Sequence, residues 1–354
     1  MPNDDNRAVE RLTALWALSE AGLGGFLHAL KSPLVGTVTG AAAVMIICLI
    51  AHYADRKISA ILKALTIVLI IKVAVSPHSP VTAYFAVSFQ ALAGAALFWI
   101  IPRFRVAAFL LGVLSLLESA LQKILILTLM YGNSLWESIN VLFAYLSRHL
   151  GFGAPPPGLQ PSALLIALYL GFYGVIGGVA GFLGGALPRA IAEAMSRPPP
   201  PAPLAAEAAG APAAKGRPRR PRVIRKLCRV GLVVTTMVVI LTFFTPAVSG
   251  AAGGVPVVLH TAGVLLVWYF LAAPLLMRGL RRFLKHKEDG YSHDIRNALA
   301  LFTHLKAYAG QWRGDAHGQR GLARVWQFLI AMVVFALTFE ATDPSPGSAP
   351  GETR

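Results

Sequence analysis

Nine long apolar runs follow one another along the chain, broken by short polar loops. About 20 apolar residues in a helix cross the hydrocarbon core of a bilayer, because lipid forces every backbone polar group to be satisfied internally. The pattern predicts helices at about 12–30, 34–53, 58–76, 81–101, 106–131 and 161–187, and then at 227–246, 255–277 and 323–340. The segment 133–150 is too polar to span. Its Trp136, Phe143 and Tyr145 alternate with Asn133, Glu137, Asn140 and Arg148, as in an amphipathic helix lying at a membrane interface. The fold class predicted is all-α: a polytopic membrane protein with a six-helix module (1–195) and a three-helix module (225–341). Between them 196–224 is a Pro/Ala-rich, then basic linker, and 342–354 is a short polar tail, both expected to be disordered.

Composition agrees with this pattern. Apolar residues make up 56% of the chain, mean hydropathy is +0.62 and charged residues are only 14%. The net charge of +16 would suit nucleic acid, but the basic clusters abut the apolar runs, so no nucleic-acid partner is expected. Lys and Arg are retained on the cytoplasmic side during insertion. An N-terminus inside puts Arg56, Lys57, Arg103, Arg105, Arg189, the 215–226 cluster and the 278–287 cluster all inside. Counting nine crossings then leaves the C-terminus outside. The location implied is a bacterial inner membrane, with the lipid bilayer as the first partner.

Catalytic signatures are missing. The sequence holds no GxxxxGK[ST], HExxH, CxxC or GxSxG, and its aspartates lie outside the apolar runs. An enzyme is not expected, nor a cofactor or metal. The two cysteines, Cys48 and Cys228, give neither a disulfide framework nor metal spacing.

Polar residues inside spans are expensive and mark sites or packing contacts. Ser115, Glu118 and Gln122 share one helical face with Lys123 beside them. Glu118 and Lys123 either face a ligand or neutralise each other. Lys72 precedes the loop Ser76-Pro77-His78-Ser79-Pro80, Gln90 lies midway along the fourth run, and Glu20 and His28 sit in the first. An outward-opening cavity lined by Lys72, His78, Gln90, Glu118 and Gln122, with Asn133, Trp136 and Glu137 from the interfacial helix, is the substrate-binding site this predicts. The competing reading is packing polarity and surface turns. Gly171, Gly174, Gly178, Gly181 and Gly185 form a stripe along the sixth run, and Ala17, Ala21 and Gly25 a shorter one along the first; each lets another helix approach closely. A cationic amphipathic helix starting at Ser292 is expected on the cytoplasmic side, on the anionic leaflet or against a partner.

Six spans with both ends inside, the Ala17-Ala21-Gly25 stripe and an outer helical connection together resemble the substrate-binding S component of energy-coupling-factor transporters. The resemblance covers about 8–190 and lies in layout. It implies capture of a vitamin or similar micronutrient from outside. It also implies a first helix packing on a membrane T component coupled to a separate ATPase. The C-terminal module is faintly similar to a T component, although it has three spans and one coupling-type helix. The alternatives are a membrane scaffold without a solute and, less favoured, an intramembrane lipid-modifying enzyme.

Overall fold

The computed structural model describes residues 4–23, 35–76, 79–151, 158, 160–196, 255–315 and 322–339. Among the described residues the chain is helical throughout, with no strand. Helix α1 covers Asp4–Leu18 and runs into a π-turn at Ser19–Leu23. Helices α2 (Val35–Tyr53), α3 (Lys57–Val75), α4 (Val81–Ile100) and α5 (Phe104–Tyr131) follow. Then come α6 (Ser134–His149) and α7 (Pro161–Met195). The C-terminal part holds α8 (Val255–Val267), a π-turn (Trp268–Ala272), α9 (Ala273–Glu288), a 3-10 turn (Asp289–Tyr291), α10 (Ser292–Asp315) and α11 (Leu322–Thr338).

The boundaries have local causes. Pro161 stands at the start of α7, where its missing N–H has no partner to lose. Gly132 ends α5 with φ 66°, a left-handed conformation that glycine adopts without steric cost, and its N–H bonds the Thr128 carbonyl. Asn140 of α6 accepts a hydrogen bond from the Ser162 N–H at 2.8 Å, so α6 caps the first turn of α7. Pro274 removes one helical hydrogen bond at the start of α9, and the π-turn directly before it takes up the misfit.

Six helical stretches are long and apolar enough to cross a membrane: Gly36–Tyr53, Lys57–Val75, Val81–Ile100, Phe104–Tyr131, Pro161–Met195 and one within His260–Gly310. That points to a lipid bilayer and a multi-pass membrane protein. The expected span 227–246 and most of the linker 196–224 lie outside the described residues, as does the tail 342–354. Nine consecutive residues of α2, Ala43 to Ala51, are buried, so α2 is enclosed on all sides. Helix α7 is two-faced: Leu168, Phe172, Val175, Val179 and Phe182 are exposed, as suits lipid, while Gly177, Gly178, Gly181, Gly184 and Gly185 are buried. Gly177 and Gly181 meet Gly112 of α5 at a crossing so close that a Cβ on Gly181 would sit 2.7 Å from the Phe109 Cα.

Three observations bear on the expected layout. The first run is helical from Asp4, not from 12, and Leu12, Trp16 and Ala17 are fully buried. Helix α1 packs against α2 and α3 and also against α10 and α11, while residues 24–30 of the expected first span lie outside the described residues. Second, buried residues from both sides of the linker pack together. Leu284, Ala298, Leu301, Leu305 and Met332 to Ala336 join the same buried cluster as α1 to α5. Third, Arg11 donates a hydrogen bond to the Leu337 carbonyl, so the end of α11 lies beside α1. Tyr308 stacks on Phe335 at 4.2 Å, and His304 lies against Phe339 at 4.5 Å. Five consecutive residues of α11, Met332 to Ala336, are buried against protein neighbours, while Val325 near its start is 55% exposed.

Candidate functional site: a polar cavity between the helices

Glu20 and Lys72 are single charges in apolar surroundings, 52 residues apart in sequence. The structure brings them together: Lys72 Nζ donates to Glu20 Oε2 at 2.6 Å, with their side chains only 5% and 4% exposed. Lys72 stands on the last turn of α3 and Glu20 in the π-turn after α1, where the widened turn re-aims side chains. Pairing is what makes either charge tolerable there, since an unpaired buried ion costs several kcal/mol, on the order of 3–5. The Lys72 ammonium also lies 5.7 Å from the centre of the Tyr84 ring, whose hydroxyl donates to the Ser76 carbonyl at 3.3 Å.

This ion pair forms part of the wall of a cavity of about 320 Å³. Helices α2, α3, α4, α5 and α7 close round it, and Ser79, Pro80 and Thr82 stand at its α3–α4 loop side. Gln122 reaches in from α5. Its Nε2 donates to Glu118 Oε1 at 2.7 Å and, more weakly, to the Thr82 carbonyl at 3.4 Å. One residue further along α5, Lys123 Nζ donates to the Tyr173 hydroxyl of α7 at 3.4 Å and lies 5.9 Å from that ring's centre. Gln90 of α4 is buried, and its amide fits because α2 has glycine opposite: a Cβ on Gly40 would come within 3.2 Å of Gln90 Nε2.

Two acceptors in this region, Gln90 Oε1 and Glu118 Oε2, are buried without a hydrogen-bond partner among the described residues. Buried polar atoms are ordinarily satisfied, so these two mark where the network has capacity left. The wall thus offers ammonium, amide, hydroxyl and carboxylate groups within a few ångströms of one another. Such a lining offers hydrogen bonds to acceptors and to donors alike. The volume lies at the lower end of the roughly 300–1,000 Å³ typical of small-molecule sites.

The expected site residues separate into groups. Lys72, Gln90 and Gln122 line the cavity, and Glu118 stands behind Gln122 as its acceptor. Asn133, Trp136 and Glu137 are not among the lining residues. Trp136 Nε1 donates to Thr128 at 3.1 Å, fastening α6 to the end of α5, while Asn133 and Glu137 are exposed. His78 lies outside the described residues, as does Gly25. Ala17 and Ala21 are buried inside the chain. In the α7 stripe Gly178, Gly181 and Gly185 lie against Phe109, Ala108 and Arg105 of α5, Gly174 only touches Leu117, and Gly171 meets nothing within 4 Å. Sequence reasoning did not name Thr39, Thr82, Ser119 or Tyr173 as lining residues, and it left Glu20 without a partner. For Glu20 the signal was present: two lone charges of opposite sign in apolar runs are cheapest when joined. Among the described residues no group of three or more His, Cys, Asp or Glu is placed to hold a metal ion. Comparison with protein-family profiles, with curated proteins and with solved structures finds no match for this chain.

Proposed function

We propose that this chain is the membrane component of a small-solute uptake system and that the cavity is where the solute is captured. One observation carries the reading: a polar cavity inside a bundle of apolar helices, with a buried ion pair in its wall and two buried acceptors unsatisfied. Polar groups are costly at this depth, and a bundle that served packing alone would have less reason to gather so many around a space. The solute class that fits is small and polar, an anion or zwitterion in the size range of an amino acid or a vitamin fragment. Lys72 and Lys123 would attract its negative group, and Gln90 would accept from its donors, with Glu118 holding Gln122 in place behind the wall.

Orientation in this reading rests on charge. Asp55, Arg56, Lys57, Lys63 and Lys287 gather at one end of the bundle, and Arg105 lies beside Gly185 in the same direction along the helices. The excess of cations makes that end the cytoplasmic one in a bacterial inner membrane. The cavity, bordered by the α3–α4 loop, then faces outside. The layout resemblance to an S component takes one modification. The face carrying Ala17 and Ala21, which would dock a separate T component, is buried within this chain, and α1 packs on the chain's own α10 and α11. A separate ATPase would have to be reached by another surface.

The test is extraction of the purified full chain with organic solvent, followed by mass spectrometry of what is released. A single small polar species at near-equal molar ratio, lost from Gln90→Leu and Lys123→Met variants that keep their unfolding temperature, is the expected result. An empty extract, with no stabilisation by a panel of amino acids, vitamins and carboxylates, would return the protein to the scaffold reading.

A further inference from the structure

A second recess lies at the opposite, cation-rich end. It is an open groove of about 810 Å³ between the first turns of α3, the end of α4 and the junction of α9 with the 3-10 turn. Its chemistry is unlike that of the first cavity. Four of its lining residues are cations (Arg56, Lys57, Lys63 and Lys287) and one, Asp55, is a carboxylate. Among the described residues Lys63 alone of these four is in an ion pair, with Asp294 of α10 at 3.0 Å. The other wall is apolar: Ile58, Leu62 and Trp99 line it, and Trp99 is 73% exposed at the tip of a membrane-length helix.

We infer that this groove is a binding site for an anionic phospholipid, which places its phosphate among Arg56, Lys57 and Lys287 and an acyl chain along Leu62 and Trp99. The groove lies where membrane-length helices end, so the ligand that arrives there carries a charged head and an apolar tail. Surplus positive charge selects an anionic head, because juxtamembrane Lys and Arg attract anionic lipids and basic pockets between spans hold their headgroups. An indole at a helix end occupies the headgroup level, where one edge is wet and the ring apolar. A soluble anion would use the cations but leave the Leu62–Trp99 wall bare, which is why the lipid is the better occupant. The groove also joins parts of the chain that are far apart in sequence: Arg56 and Lys57 precede the linker and Lys287 follows it. A phosphate held between them ties α9 to α3, acting with the Lys63–Asp294 pair. This holds whichever side of the membrane the cation-rich end occupies.

Thermal unfolding of the full chain in detergent, with phosphatidylglycerol or phosphatidylcholine added, tests the site. Phosphatidylglycerol is expected to raise the unfolding temperature and phosphatidylcholine to leave it unchanged. The triple variant Arg56→Gln/Lys57→Gln/Lys287→Gln should unfold at the wild-type temperature without lipid and lose the lipid-dependent rise. Arg278→Gln/Arg282→Gln, which lowers the charge of α9 outside the groove, should keep it. Native mass spectrometry should show one retained phosphatidylglycerol on the wild type and none on the triple variant. If inorganic phosphate alone reproduces the rise, the groove binds a soluble anion and the lipid assignment fails. If both lipids act equally, or both variants lose the same fraction of the effect, no specific headgroup site exists there. Should the triple variant fold poorly, Lys57→Arg/Lys287→Arg must preserve the rise and Trp99→Ala must weaken it.

Discussion

The two recesses of this bundle treat charge in opposite ways. In the inner cavity Lys72 and Glu20 are buried and joined at 2.6 Å, and Gln122 bonds to Glu118. At the cation-rich end Arg56, Lys57 and Lys287 line an open groove, and the Lys63–Asp294 pair is formed by side chains 39% and 15% exposed. Dielectric surroundings explain the difference. A charge inside the bundle cannot be solvated, so it exists only with a partner, whereas a charge at the end has water or a lipid headgroup. Backbone packing follows the same division. At Gly112, Gly177 and Gly181 helices touch through their backbones, while a Cβ on Gly279 or Gly310 would meet nothing within 4 Å. The α5–α7 crossing has no slack and the periphery does.

The largest effect is expected where that contrast is sharpest. Lys72→Met or Glu20→Leu alone strands a buried charge and should cost about 3–5 kcal/mol in denaturant unfolding of the detergent-solubilised protein. Glu20→Leu/Lys72→Met removes both charges, and its cost should fall well below the sum of the singles, since much of each single loss is the desolvation of the abandoned partner. Single variants that cost under about 1 kcal/mol, the range of exposed pairs, would show that water reaches this pair and that inside and end do not differ.

Next comes the glycine crossing. Gly181→Leu forces a side chain between backbones that already touch, and a loss of about 1–3 kcal/mol or more is expected. Gly279→Ala, on a helix with open space around it, should be neutral or stabilising by roughly 0.5–1 kcal/mol. Thermal melts of the two variants side by side are sufficient. Equal losses would mean that the α5–α7 crossing is looser than its geometry.

These features differ in how far the amino-acid order discloses them. The positions of α2 to α5 and α7 are written in hydropathy, because about 20 apolar residues in a row have few uses other than a span. The inward glycines of α7 are visible through their spacing. Gly112 is not, since a single glycine acquires meaning only when Gly177 and Gly181 of another helix arrive opposite it. Lys72, Gln90 and Gln122 stand out as costly polar residues, and the same cost argument suggested that they would cluster. It could not name Tyr173 or Thr39, which are ordinary residues until the packing places them in the cavity wall. Hydropathy alone also could not show that Met332 to Ala336 of α11 are buried against other helices of the chain. For α6 the interfacial character is apparent, but its use in capping α7 through Asn140 depends on a contact between two helices.

The smallest effect belongs to Lys63 and Asp294, and it sharpens the contrast most directly because the chemical groups resemble those of the inner pair. Both pairs join an ammonium of α3 to a carboxylate from another part of the chain, at 3.0 and 2.6 Å. Their surroundings alone differ. Lys63 keeps much of its hydration in the native state, so breaking the pair leaves a solvated ion rather than a stranded one. A double-mutant cycle with Lys63→Ala and Asp294→Ala should give a coupling of about 0.2–1 kcal/mol. The coupling should vanish near 1 M salt, where the Debye length shrinks to about 3 Å. The Glu20–Lys72 coupling, measured in the same way, should barely respond, because mobile ions do not enter a site whose side chains are about 5% exposed. If the two couplings fall together as salt rises, the inner pair is open to solvent, and the cavity wall is softer than its burial implies.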